Sequence, residues 1–266
     1  MITNNPYLTL AEFVPSIFMQ SFVIIMLGLI ILGTLLDIIH KKNVKYFFEN
    51  AKKAKKSATR ELGPREKVSI IAKSVVYDIG TTSELGAGKR RVAHLLGMYG
   101  TILFWISSAV MIFCYSSIPS NTPFVWPIIW HGGAIMTVLG GCWFWFFLRV
   151  DVYSEAHPWY RIIKADLFVL ALIATSFFGL AWSYLQSLNL NDRWDDKVFL
   201  VLYIVSNLVL FGGVYWSKFA HMFYKPGAAI QKNLAEADGS RDNLPPEADA
   251  PEKFGLGIKR EAPKHY

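Results

Sequence analysis

Residues 14–39 read VPSIFMQSFVIIMLGLIILGTLLDII, and from Val14 to Leu36 no side chain carries a charge. An uncharged apolar run of about 18 or more residues can cross the roughly 30 Å hydrocarbon layer of a bilayer as a helix. Four further runs meet that test or come close: Val92–Ser116, Phe124–Leu148, Leu167–Leu185 and Val198–Phe219. Of the 266 residues, 53% are hydrophobic and 18% charged. A soluble chain of that make-up would spread its apolar residues in amphipathic periods, whereas here they come in blocks. In lipid the backbone must satisfy its own hydrogen bonds, so only helices and closed barrels span. A barrel would show short alternating segments rather than continuous runs. The expected fold class is an all-α integral membrane protein, a bundle of five transmembrane helices. The first run lacks the basic flank of a signal peptide and is too long for one, so it reads as a retained helix.

Where the charge sits predicts the orientation. The net charge is +7. The segment before the first run holds no Lys or Arg, residues 41–91 hold fourteen, and the chain from Lys218 onward holds eight. The positive-inside rule then predicts the N-terminus outside and the C-terminus in the cytoplasm, an alternation that five crossings satisfy. The expected location is the cytoplasmic (inner) membrane, with lipid as a partner and no nucleic acid.

The expected organisation has four parts. Residues 1–40 are the N-terminus and first transmembrane helix, and 41–91 a basic cytoplasmic loop with amphipathic helices. Residues 92–224 form a four-helix transmembrane core, and 225–266 a cytoplasmic tail. Lys45–Arg60 suits an amphipathic helix that sets phenylalanines at the membrane and lysines toward water or anionic headgroups. Arg65–Asp78 suits a second short helix. The tail from Ala235 is rich in Asp, Glu, Pro and Lys, a composition expected to be disordered by itself.

Two cysteines, Cys114 and Cys142, sit inside apolar runs, and no CxxC occurs. An iron–sulfur cluster or structural zinc in this chain is therefore not expected. Among the six histidines, two invite chemistry. His94 follows Lys89, Arg90 and Arg91 at the start of the second run. His221 follows Lys218 at the end of the fifth. Those runs are antiparallel in a five-helix bundle, so both imidazoles are expected at one depth near the cytoplasmic face. Two axial ligands of one haem b need that placement. Gly97 and Gly100 would let a flat macrocycle approach the backbone, and Lys218, Arg90 and Arg91 could neutralise propionates. The same residues also suit an ordinary helix boundary and ordinary helix packing. His131, beside Trp130 and Gly132-Gly133, is a candidate quinone or haem contact, or a packing residue. Asp37, Asp166 and Arg149 lie at helix ends and read as anchors. No chain of mid-membrane acids suggests a pump.

Tyr215–Pro226 (YWSKFAHMFYKP) resembles the end of the last helix in the nitrate reductase gamma-subunit-like family of haem b membrane subunits. That family includes the membrane subunit of the quinone-interacting membrane-bound oxidoreductase complex. Ser217, Lys218 and His221 match its Ser-Lys/Arg-x-x-His pattern. Arg91–Gly97 (RVAHLLG) resembles its first haem-ligand helix, and Trp130–Leu139 with Arg149, and Asp166–Leu180, resemble its next two. Members with two haems carry further histidines at positions that here hold Phe104 and Tyr203. The resemblance thus implies one haem b, with His94 and His221 as ligands to its iron, and no second haem. The short form with a basic loop and tail resembles the membrane anchors associated with adenylylsulfate reductase. It implies a cytoplasmic flavin and iron–sulfur oxidoreductase as partner and quinone as substrate.

Two functions from different classes follow. One is a membrane anchor and electron-transfer subunit, itself non-catalytic or quinone-interacting, that links such an enzyme to the quinone pool. The other is a cofactor-free structural anchor. A small transporter is a weaker third reading, since no run is interrupted by proline at its centre.

Overall fold

The computed structural model describes residues 2–85, 88–117, 121–149, 152, 155, 157–188, 194–217, 219 and 221–240. Among these there is no strand. Two compact units form: Met1–Asp37 with Val92–Phe219, and Ile38–Arg91 with Ala220–Tyr266.

In the first unit, helix α1 (Pro6–Leu10) is started by Asn5, whose side chain accepts from the Tyr7 amide, and by Pro6 in the first turn. Helix α2 (Ser16–Lys41) follows Pro15. Among the described residues four segments are long and apolar enough to cross a membrane: Ser16–Lys41, Lys89–Cys114, Val125–Leu148 and Lys164–Ser187. Their outward faces carry Ile24, Ile31, Ile106, Leu139 and Phe177, each 51–62% exposed. Apolar surface of that extent belongs against lipid rather than water. The chain is an all-α, multi-pass membrane protein.

The fifth apolar run does not form the single helix expected over Val198–Phe219. Helix α8 (Trp194–Gly212) starts earlier, with Asp195, Asp196 and Lys197 in its first turn, and stops at Gly212. Hydrogen-bonded turns follow, with Gly213 N–H donating to Val209 O and Ser217 N–H to Gly213 O. Its uncharged part, residues 198–212, rises roughly 22 Å, less than a full crossing.

Within the first unit, α5 (Lys89–Cys114) and α6 (Val125–Trp143) approach backbone to backbone. A Cβ on Gly100 would lie 2.7 Å from Gly133 O, one on Gly133 2.7 Å from Gly100 O, and one on Gly140 2.6 Å from Gly97 N. Small residues permit that contact, as membrane helix packing requires. Gly100 therefore serves α5–α6 packing rather than the haem approach expected of it. Helix α6 runs on into a π-helical turn, Phe144–Leu148. At its end Arg149 donates from Nη1 to Asp166 Oδ2 at 2.8 Å and from Nη2 to Arg161 O at 2.8 Å. The Arg149 guanidinium also lies 4.0 Å from the Trp145 ring centroid. Asp166 precedes α7 (Leu167–Ser187), which packs along α6 and α8.

The second unit is built from α3 (Asn43–Lys56), α4 (Pro64–Lys73) with the π-helical Ser74–Ile79, and α9 (His221–Ala237). The left-handed Lys42 (φ 53°) breaks the chain before α3. Pro64 opens α4. Asn233 Nδ2 donates to Ser74 Oγ at 2.7 Å and to Asp78 Oδ2 at 2.6 Å, which fastens α9 to the π-helical turn. Thr59 N–H donates to Asp238 O, and Arg60 Nε to Ala237 O. The start of the expected disordered tail is thus structured: Ala235–Ala237 complete α9, and Asp238 packs on the α3–α4 connection. Residues 241–266 lie outside the described residues.

Candidate functional site

The first unit holds a half-open cleft of about 390 Å³ between α2, α5 and α8. Its wall on α2 runs from Phe18 to Ile30, and among the described residues no Lys, Arg, His, Asp or Glu lines it. One end is closed by aromatic rings and hydroxyls. Tyr7 OH lies 2.8 Å from Tyr203 OH and 3.1 Å from Ser108 Oγ. Trp130 Nε1 donates to Ser108 Oγ at 2.9 Å, and Ser108 Oγ donates to Phe104 O at 2.8 Å. The Tyr203 ring stacks on Trp182, centroids 5.7 Å apart at 17°. Phe104 packs against Trp130 and, edge to face, against Tyr203. Burial holds the Tyr7 phenol above the usual tyrosine range, against the lowering effect of its hydrogen bonds to Ser108, Tyr203 and Trp130. It stays protonated at neutral pH.

Helix periodicity explains why these groups meet. Phe104 and Ser108 are four apart on α5, and Tyr203 and Asn207 four apart on α8, so each pair shares a face. α1 delivers Tyr7 to the same point, because its Asn5 cap also donates from Nδ2 to Tyr115 O and Thr122 Oγ1.

The residues singled out in sequence are placed as follows. His94 is exposed on α5 in the first unit. Gly97, one turn on, faces open space where a Cβ would stand. Arg91 belongs to the second unit, where its Nε donates to Thr81 O at 2.8 Å. His221 is the first residue of α9 in the second unit, not the end of the fifth apolar helix. Lys218 lies outside the described residues. Phe219, between them, is buried in the first unit against Trp105, Phe168 and Phe211. His131 is 1% exposed, with Nδ1 2.7 Å from Pro127 O and Nε2 2.9 Å from Ser183 Oγ. Both its ring nitrogens are engaged within the protein, tying α6 to α7, and it does not line the cleft.

Sequence reasoning passed over Tyr7, Ser108, Trp182 and Asn207. The signal available was modest: single polar or amphipathic residues inside or beside long apolar runs.

No protein-family model matches the chain, and comparison with characterised proteins and with solved structures likewise gives no match.

Proposed function

We propose that the protein is the membrane anchor and electron-transfer subunit of a cytoplasmic redox enzyme, coupling it to the quinone pool through one haem b. The observation that carries this reading is the contact between Phe104 on α5 and Tyr203 on α8, with ring centroids 6.5 Å apart. These are the two positions at which two-haem members of the nitrate reductase gamma-subunit-like family carry histidines. That they are cross-helix neighbours supports the alignment with that family over Lys89–Pro226. Aromatic rings in contact, 1% and 9% exposed, fill the volume between them.

The remaining pair, His94 and His221, would supply the axial imidazoles. On the His94 side the residues suit a macrocycle: an exposed imidazole, and three residues on, at Gly97, no Cβ to obstruct it. Haem bound there supplies one-electron transfer between the docked enzyme and quinone. Lys218 and Arg91 would offset propionate charge. The partner is a flavin and iron–sulfur oxidoreductase resembling adenylylsulfate reductase, held at the basic cytoplasmic segments. In this reading the chain crosses the cytoplasmic membrane five times, N-terminus outside. The α8 segment and its hydrogen-bonded turns make the fifth crossing, since a backbone that satisfies its own polar groups can lie at membrane depth.

The test is a dithionite-reduced minus oxidised visible spectrum of the protein purified in detergent from haem-replete cells. A b-type α-band, lost in both His94→Ala and His221→Ala, is expected. A flat spectrum would leave the cofactor-free anchor.

A further inference from the structure

We propose that the cleft between α2, α5 and α8 is the binding site of an isoprenoid quinone, with its head group at Tyr7 and Tyr203 and its tail along α2. This rests on the quinone-linked reading above and adds the location and the recognition chemistry.

Four observations carry it. The first is the way α2 is held. Near its start Ser16 Oγ donates to Ser116 O at 2.7 Å. Near its end Gly33 touches Val214 so closely that a Cβ there would fall 2.8 Å from Val214 Cβ. Only 17% of the spanning window of α2 is buried, against 33–39% for the other three segments. The gap left beside α2 is a half-open cleft rather than the close-packed contact that helices otherwise make. From Phe18 to Ile30 it runs roughly 18 Å along the helix, the scale of an extended hydrocarbon chain.

The second is size and composition. A volume of about 390 Å³ is that of a small-molecule site, apolar with a few convergent polar groups.

The third is charge. Among the described residues no ionisable side chain other than the two tyrosines lines the cleft. A phospholipid phosphate drawn to its polar end would meet neutral hydroxyls in a low-dielectric setting, without the cation it needs. A quinone head is neutral, planar and bears carbonyl acceptors. It fits a wall of stacked Trp182 and Tyr203 rings edged by hydroxyl donors.

The fourth is the hydrogen-bond count. Tyr203 OH can donate to Tyr7 OH, Tyr7 OH to Ser108 Oγ, and Ser108 Oγ to Phe104 O. Reversing the first bond, so that Tyr7 OH donates to Tyr203 OH, frees the Tyr203 proton for a ligand carbonyl without leaving a donor unpaired. The pair can thus satisfy itself when empty and donate when occupied.

The experiment is photolabelling of the full-length protein in detergent with an azido-substituted short-chain benzoquinone, with labelled peptides identified by mass spectrometry. Saturable labelling of the peptides bearing Tyr7 and Tyr203 is expected. Decylubiquinone should compete with it, and excess phosphatidylglycerol should not. Tyr203→Phe should weaken binding by about three- to tenfold, the worth of one neutral hydrogen bond. Ala109→Phe, which fills the cleft and leaves the hydroxyls in place, should abolish labelling; unchanged helicity and elution volume show that this variant is folded. Labelling that is indifferent to both substitutions, or equally displaced by phosphatidylglycerol, overturns the proposal. The measurement needs no haem. A flat haem spectrum with labelling intact removes the haem and leaves the quinone site. A b-type spectrum with no labelling at the cleft removes the site alone.

Discussion

The rings of Phe104 and Tyr203 meet edge to face across α5 and α8, with centroids 6.5 Å apart and planes at 80°. Aromatic residues thus occupy the place where the family resemblance would set a second pair of imidazoles. The expected stoichiometry is one haem b per chain, measured by pyridine haemochrome against protein concentration. A value of two would overturn the pairing argued from these residues. Phe104→Ala should leave that ratio unchanged while destabilising the unit by about 3–5 kcal/mol, because it opens a cavity beside Trp130.

Arg149 and Asp166 are 4% and 9% exposed, and their contact is a buried ion pair. Removing one partner leaves an uncompensated charge, at a cost of about 3–5 kcal/mol. Asp166→Ala should therefore lower the midpoint of thermal unfolding in detergent sharply. Arg149→Met combined with Asp166→Leu should lower it much less, because neither charge then remains buried. Equal losses for the single and double variants would show that the ion pair is not what holds this corner.

Gly132 and Gly133 are adjacent in sequence and opposite in consequence. A Cβ on Gly133 would fall 2.7 Å from Gly100 O and 2.7 Å from Phe104 N, whereas one on Gly132 has nothing within 4 Å. Gly133→Ala should force α5 and α6 apart at a cost of about 1–3 kcal/mol. Gly132→Ala should be near neutral. Thermal unfolding of the two variants side by side is the check.

Asp78 accepts from Ser83 Oγ and from Asn233 Nδ2, and both hold its carboxyl below the usual value of 3.8. A carboxyl more acidic folded than unfolded stabilises the fold fully above the unfolded value. That contribution is lost as pH falls through the folded one. Hydrogen exchange of α9, corrected for intrinsic rate, should therefore show protection that is constant from pH 7 to about pH 5 and declines toward pH 3. Asp78→Asn should remove the acid-dependent part of that decline. An unchanged decline in the variant would assign it to other groups.

The proposed five-crossing arrangement predicts a pattern of access. Single cysteines at Asn4 and at Ser57, with Cys114 and Cys142 replaced by Ala, should react oppositely with a membrane-impermeant maleimide in intact cells. Asn4→Cys should label, and Ser57→Cys only after permeabilisation. Labelling of both from outside would break the orientation.

The amino-acid sequence by itself determined that this is an all-α membrane protein. A run such as Val14–Leu36 has one low-energy solution in lipid: a helix that pairs its own backbone and faces hydrocarbon. The amphipathic α3 was legible for a related reason, since Val44, Phe47, Phe48 and Ala51 recur at helical spacing among its lysines. The end of the fifth run was not legible, because Gly212 and Gly213 sit in unbroken apolar sequence and only the chain's own turns after Val209 mark the stop. The role of Gly100 was equally hidden: a glycine that admits a macrocycle and one that admits another helix look the same until Gly133 is found against it. The cleft was decided by tertiary structure alone. Tyr7, Ser108 and Tyr203 lie on three separate helices, and nothing local reveals that their hydroxyls converge. Convergence comes from how α1, α5 and α8 pack, and packing depends on side chains far apart in the chain.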